Sequence, residues 1–227
     1  MDELVVFAKY WQPGRVKTRL GVEIGMDASS EIYRQFLVTL LNRLQTEGDQ
    51  RILAFAPSEH RRDFEKLPGA AAWKLTPQSS GNLGDRLSRL FQQRFQAGAS
   101  RVVLIGSDSP SLPLQYVRDA FRHLQTHDAV LGPSTDGGYY LVGMQKPLGF
   151  LFERIDWSTE KVWRQTLQRI ESNPTEISLA VLPQWYDIDT LEGLQQLVDE
   201  LDQSKPDSEA TRVLSQLCHQ LLIRGKR

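Results

Sequence analysis

The chain has a single cysteine, Cys218, in 227 residues. This excludes an internal disulfide and any cluster of thiolate metal ligands. Long hydrophobic runs are missing too. The apolar stretch that follows Asp2 and Glu3 is far too short for a signal h-region or a membrane-spanning helix, so a soluble, cytoplasmic protein without a membrane partner is the expectation. Charge of one sign is also absent. With 27 basic and 28 acidic residues, the chain as a whole has no electrostatic footprint suited to nucleic acid or to an anionic membrane. There is no internal repeat and no low-complexity segment. No G-x-S-x-G elbow is found, which leaves hydrolase chemistry little support. A Walker A loop and a G-x-G-x-x-G fingerprint are likewise missing, and with them the two commonest phosphate cradles. His123 and His127 have the spacing of a helical zinc site but no nearby third ligand.

What the sequence does contain is an alternation of two patterns. Leu4 to Ala8, Arg51 to Ala56, Arg101 to Gly106 and Asp128 to Gly132 are short continuous apolar runs, the mark of strands buried on both faces. Between them, Tyr33, Phe36, Leu37, Leu40, Leu41 and Leu44 keep helical spacing, as do Leu83, Leu87, Leu90 and Phe91, and then Leu114, Val117, Phe121 and Leu124. Strand then helix, repeated, predicts an α/β domain with a mainly parallel sheet. In the second half, Tyr139 to Met144 and Ser178 to Leu182 read as strands, and helices are expected after "WST" and after "DIDT". The predicted organisation is one domain over 1–201, followed over 202–227 by a linker and a C-terminal helix packing on that same domain; Cys218 is expected to pack there.

In open α/β sheets, ligands gather beyond the carboxyl ends of the strands, where four polar clusters fall. "KYWQPGRVKTRL", Lys9 to Leu20, places a Pro-Gly turn among four cations. Backbone N–H groups freed at Gly14, with Arg15, Lys17 and Arg19, suit phosphate oxygens; a solvated basic loop before a helix is the alternative. "GSDSP" offers Asp108 either as a helix cap or as a hard oxygen ligand for Mg²⁺. "YDIDT" offers Asp187 and Asp189, which point the same way if the segment is extended, although Asp189 or Thr190 also fits an N-cap. "STDGGYY" is first a hairpin turn; its Gly137 and Gly138 also permit close backbone approach to a ligand, with Asp136 free to bind a hydroxyl or act as a base.

Taken together and in order, "FAKYWQPGRVKTRLG", "NLGDRL", "LIGSDSPSLP", "GPSTDGGYYLVG", "WST" and "YDIDTLEGL" resemble the motifs of the DUF2064 family, also described as arsenosugar-biosynthesis-type glycosyltransferases. The resemblance runs from about Leu4 to Leu194. That family is similar to phospholactate guanylyltransferase and to molybdopterin-cofactor nucleotidyltransferases. The resemblance implies a Rossmann-like GT-A nucleotide-diphospho-sugar transferase fold, with a mixed, mainly parallel sheet and helices on both faces. It further implies a nucleotide bound with Mg²⁺ or Mn²⁺. Carried onto this chain, Lys9, Gly14, Arg15, Lys17, Thr18, Arg19, Gly137 and Gly138 would hold the nucleotide. Asp108, Asp187 and Asp189 would hold the metal, and Asp108, Asp136 and Lys17 would serve catalysis. Where glycosyltransferases commonly carry D-x-D, this chain has Asp108-Ser109-Pro110.

Three functions follow as expectations. The first is transfer of a sugar from a nucleotide-diphospho-sugar to a small acceptor. The second is nucleotidyl transfer onto a phosphorylated small molecule, with release of pyrophosphate. The third is a nucleotide-binding module without turnover. Base, sugar, acceptor and a homo-oligomeric state are left open by the sequence.

Overall fold

A computed structural model describes residues 1–203 and 207–225. The linker expected around 202–209 thus lies partly outside the described residues. The strands are β1 (Asp2–Lys9), β2 (Gln50–Ala56), β3 (Lys74–Pro77), β4 (Arg101–Gly106), β5 (Ala129–Pro133), β6 (Tyr139–Met144) and β7 (Leu179–Val181). The helices are α1 (Thr18–Ile24), α2 (Met26–Arg43), α3 (Arg61–Glu65), α4 (Leu83–Gln96), α5 (Leu114–His123), α6 (Val162–Glu171), α7 (Leu191–Gln203) and α8 (Glu209–Gly225).

All seven strands form one sheet in the order β3-β2-β1-β4-β6-β5-β7. β6 runs antiparallel to β4 and β5, while the other pairings are parallel. The apolar runs need this arrangement, because both faces of β1 are covered. Leu4, Val6 and Ala8 pack with residues of α2 and α5 on one face. Val5, with Ile52 and Leu104 beside it in register, packs with α4 on the other. Side chains alternate across a strand, so a run that is apolar at every position is stable only between two helical layers.

A third layer sits outside α2. Leu20 of α1, Ile32 and Phe36 of α2, Leu194, Leu197 and Val198 of α7, and Leu214, Cys218, Leu221 and Leu222 of α8 form one buried cluster. Two residues of the "YDIDT" segment, Tyr186 and Ile188, belong to it. The C-terminal helix is thereby packed against the elements that carry the first and last of the four polar clusters. His123 and His127 face each other edge to face, with ring centroids 5.7 Å apart, and no group of three or more metal-ligating side chains occurs among the described residues. No helix among them is long and apolar enough to cross a membrane.

Candidate functional site

The basic loop between β1 and α1 turns at Gly14, whose φ of 74° belongs to the left-handed region that glycine enters without penalty. The chain then places Lys17 at the N-cap of α1, also left-handed at φ 47°. A non-glycine residue held there stores strain, which surrounding contacts must offset. The compensation is electrostatic. Lys17 Nζ donates to Asp189 Oδ1 at 2.8 Å, forms a second ion pair with Asp108 Oδ1, and stands 5.9 Å from the centre of the Phe36 ring. The Lys17 side chain is 1% exposed, whereas the two carboxylates are 43% and 42% exposed. Burial disfavours the ammonium, but Asp108 and then Asp189 outweigh it and hold the Lys17 pKa above the ordinary lysine value.

Asp108 lies just beyond β4, and helix capping is not its role. α5 starts at Leu114 with Pro113 as its N-cap, beyond the reach of the "SDS" stretch. Thr190 is the residue that meets the start of α7, its hydroxyl accepting from Gly193 N–H at 3.3 Å, which leaves Asp189 for Lys17. The two segments are joined by their backbones, since Ile188 N–H donates to the Asp108 carbonyl at 3.1 Å. Extended pairing carries the late segment to this point, because Trp185 bridges to Ser134 in parallel fashion beyond β5. Period-two alternation then puts Ile188 into the core and Asp187 and Asp189 on the opposite side.

Asp187 has different partners from its neighbour. Ser109 Oγ lies 2.6 Å from its Oδ1 and Ser134 Oγ 2.9 Å from its Oδ2. Burial first, and the charge of Asp108 second, push its pKa up to about 6. Tyr33 completes the floor: its hydroxyl meets Ser107 Oγ at 2.7 Å and accepts from Lys9 N–H at 3.0 Å. Burial and the neighbouring Asp108 raise its pKa to about 12.

These groups line a cleft of about 1090 Å³ at the carboxyl ends of the strands. Lys9, Arg15, Lys17, Thr18, Arg19, Asp108, Asp136, Gly138, Asp187 and Asp189 all border it, whereas Gly14 and Gly137 do not. Asp136 is exposed, with Oδ1 accepting from Gly138 N–H at 2.9 Å. Gly137 has a packing reason for lacking a side chain, since a Cβ there would come within 2.5 Å of the Glu160 carbonyl oxygen.

The family model described as "Uncharacterized protein conserved in bacteria (DUF2064)" matches residues 39–159. A protein of Desulfovibrio desulfuricans G20, classed as a nucleotide-diphospho-sugar transferase, is 31% identical, with 97% of each chain covered and a TM-score of 0.87. The chain belongs to the DUF2064 family. At fold level, this DUF2064 protein is also similar to a nucleotidyl transferase from Methanothermobacter, at 13% identity, 90% and 99% coverage and a TM-score of 0.60. A further neighbour is the 4-diphosphocytidyl-2C-methyl-D-erythritol synthase of Anaerococcus prevotii DSM 20548, at 13% identity, 85% and 94% coverage and a TM-score of 0.55. No curated protein matches it.

The DUF2064 cleft also contains residues that sequence reasoning did not place there. Arg86 of "NLGDRL" borders it, with Nη1 donating to Gln78 Oε1 at 2.9 Å and Cζ 5.9 Å from the Phe7 ring centre. Gln78 is itself fixed, donating from Nε2 to the carbonyls of Ala8 and Ala54 at 2.9 Å each. Asn82 and Asp85 of the same motif form a reciprocal capping box at the start of α4, so within this motif Arg86 alone is the charged group offered to the cleft. Trp157, Ser158, Thr159 and Glu160 border the opposite side. The signal for both was membership of a family motif, "NLGDRL" for Arg86 and "WST" for Trp157, Ser158 and Thr159; neither motif by itself assigned a site role.

Proposed function

We propose that this protein is a nucleotide-using transferase that passes a sugar from a nucleotide-diphospho-sugar to a small acceptor, with a divalent cation, Mg²⁺ or Mn²⁺, as cofactor. The observation that carries the reading is the convergence of Asp108 and Asp189 on one buried ammonium, beside the exposed Lys9, Arg15 and Arg19. Two half-exposed carboxylates directed at a single cationic point are a hard-oxygen donor set. The Lys17 ammonium engages Oδ1 of each, so a divalent ion would be held through the other carboxylate oxygens, on the exposed side. Mg²⁺ is commonly held by one or two carboxylates together with substrate phosphates, and Asp108 and Asp189 supply that share. Asp187, whose two oxygens are taken up by Ser109 and Ser134, stands behind this pair and is not counted among the ion's ligands. When bound, the ion would neutralise charge on the diphosphate.

The chain's own residues account for the remainder. Arg15 and Arg19 bind phosphate oxygens through charge-assisted hydrogen bonds, and Lys17 meets the charge that grows on the leaving group. The acceptor hydroxyl oxygen forms a bond to the anomeric carbon while the bond from that carbon to the phosphate oxygen breaks. The nucleoside diphosphate leaves with the bonding electrons. The hydroxyl proton passes to Asp136, whose Oδ2 is not taken up by the Gly138 turn.

A second reading is nucleotidyl transfer onto a phosphorylated small molecule, favoured by the number of cations at the cleft: Lys9, Arg15, Lys17, Arg19 and Arg86 match a triphosphate at least as well. The products separate the two. Incubation with nucleotide sugars and a mixture of small hydroxyl acceptors, or with nucleoside triphosphates and phosphorylated small molecules, analysed by anion-exchange chromatography, is expected to yield nucleoside diphosphate from the nucleotide sugar with Mg²⁺ present. Pyrophosphate from a triphosphate would replace the first reading by the second, and neither product would leave a binding module.

A further inference from the structure

The cleft is electrically divided. Lys9 at the end of β1, Arg15 in the loop that follows and Arg19 in the first turn of α1 enter on one side, and Arg86 enters from α4, tied to Gln78. The wall formed by the β5–β6 turn, the start of β6 and the segment before α6 contributes Asp136, Tyr139, Trp157, Ser158, Thr159 and Glu160. It brings no Lys or Arg side chain to this cleft; Arg154, in the same segment, borders a separate cavity of about 440 Å³. Neither Asp136 nor Glu160 has an ion-pair partner among the described residues.

This wall is a built surface. The turn and the segment touch where Gly137 leaves room for the Glu160 backbone, and Trp163 N–H donates to the Gly137 carbonyl at 2.8 Å. Arg154 and Ser158 on either side of Trp157 have φ of 55° and 64°, left-handed backbone that non-glycine residues keep only where their surroundings enforce it. Between them, Trp157 stands edge-on to Tyr139, ring centroids 6.3 Å apart at 84°. Its indole nitrogen lies 2.9 Å from the point a Gly84 Cβ would occupy, so the first turn of α4 locks the ring from behind. A partly buried indole thus sits beside hydroxyls and two carboxylates without ion-pair partners among the described residues.

Carboxylates accept hydrogen bonds from hydroxyl groups, and an aromatic face packs against C–H surface. The same carboxylates oppose an incoming phosphate, since like charges placed together at an interface discriminate against the wrong partner. We infer that this wall is the acceptor subsite, and that it takes a neutral, hydroxyl-rich acceptor of the sugar or polyol class and rejects the corresponding phosphate esters. The inference rests on the glycosyl-transfer reading and adds the chemical class of its second substrate.

Saturation-transfer NMR on the full chain with Mg²⁺ and UDP or GDP tests it, using glucose and glycerol against glucose 6-phosphate and glycerol 3-phosphate. Transfer to the neutral probes is expected, with the phosphate esters weaker by about tenfold or more, a ratio equivalent to about 1.4 kcal/mol. Trp157→Ala should lose the neutral probes, and Glu160→Lys, at an exposed position, should admit the esters. Equal or stronger binding of the esters to the wild type overturns the inference, as does the absence of transfer to both neutral probes. If Trp157→Ala melts early, Glu160→Lys decides, and an unchanged preference counts against us. Nucleotide titration in the same samples separates the two levels: binding of UDP or GDP without the neutral probes rejects the acceptor class alone, whereas loss of nucleotide binding as well rejects the reading beneath it.

Discussion

Replacing Lys17 by methionine keeps the length of the side chain, and the left-handed backbone of a non-glycine residue, while removing the ammonium. In the wild type that ammonium meets Asp189 and Asp108. Hydrogen bonds to charged groups contribute about 1.5 to 3 kcal/mol each, but both carboxylates are nearly half exposed, which reduces each to the surface range of up to about 1 kcal/mol. Relief from burying the cation subtracts further. A net loss of about 1 kcal/mol follows, equivalent to a melting-temperature fall of roughly 2 to 4 °C for a chain of this size. The variant leaves two carboxylates facing each other without a cation, so Mg²⁺ should restore part of the loss and should stabilise the variant more than the wild type. The raised Lys17 pKa means the contribution is complete below the ordinary value of 10.5 and fades only as pH rises through the higher folded value; the difference between wild type and Lys17→Met should therefore be flat across the neutral range. Scanning fluorimetry in EDTA and in MgCl₂ measures all of this. An unchanged melting temperature with no added response to Mg²⁺ would refute the argument.

Three further perturbations probe other parts of the account. Arg15→Ala and Arg19→Ala should weaken nucleotide binding progressively from mono- to di- to triphosphate in calorimetric titrations, because each added anionic group gains charge-assisted contacts; equal losses along the series would return the loop to a solvated basic stretch. Leu214→Ala, within the cluster that holds Leu20 and Ile188, should cost about 2 to 5 kcal/mol of stability and also weaken nucleotide binding by loosening the Lys17 and Asp189 segments, whereas full affinity in the folded fraction would show that α8 supports the fold alone. The hydrogen bond from Lys146 to Asp128, with those from Ser178, lowers the Asp128 pKa to about 2 against the opposing effect of burial; its stabilisation is present above the ordinary value of 3.8 and is lost as pH falls through the folded value, so Asp128→Asn should flatten that acid limb in a melting series, and an unaltered limb would assign it to other carboxylates.

The central strands were legible because burial on both faces leaves no polar alternation: Leu4 to Ala8 and Arg101 to Gly106 read as strands and form β1 and β4. β3 was not, since Lys74 to Pro77 is a short edge strand with no fully buried residue. α1 was hidden for a related reason: two of its seven residues, Leu20 and Gly21, are buried, too few to set a helical period. At the site, the types of side chain and their nearness to strand ends could be read locally. The partners could not, because Lys17 finds Asp108 and Asp189 across most of the chain. Lys17, read locally as one phosphate ligand among several, is also the buried centre of an ion triad. The same distance concealed the placement of the Trp157 wall, which depends on Gly84 and Gly137, glycines separated from it in sequence by β4, α5, β5 and β6 in the first case and by β6 in the second.

Isothermal titration of UDP and GDP into the wild type and into Asp108→Ala, each with and without Mg²⁺, tests the claim that Asp108 and the Lys17 loop form a cation-assisted nucleotide site. The account predicts that the wild type binds at least one of the two nucleotides, more tightly when Mg²⁺ is present, and that Asp108→Ala loses the Mg²⁺ enhancement while melting as a folded protein. Binding of the same strength in both proteins, with the same response to Mg²⁺, would contradict it.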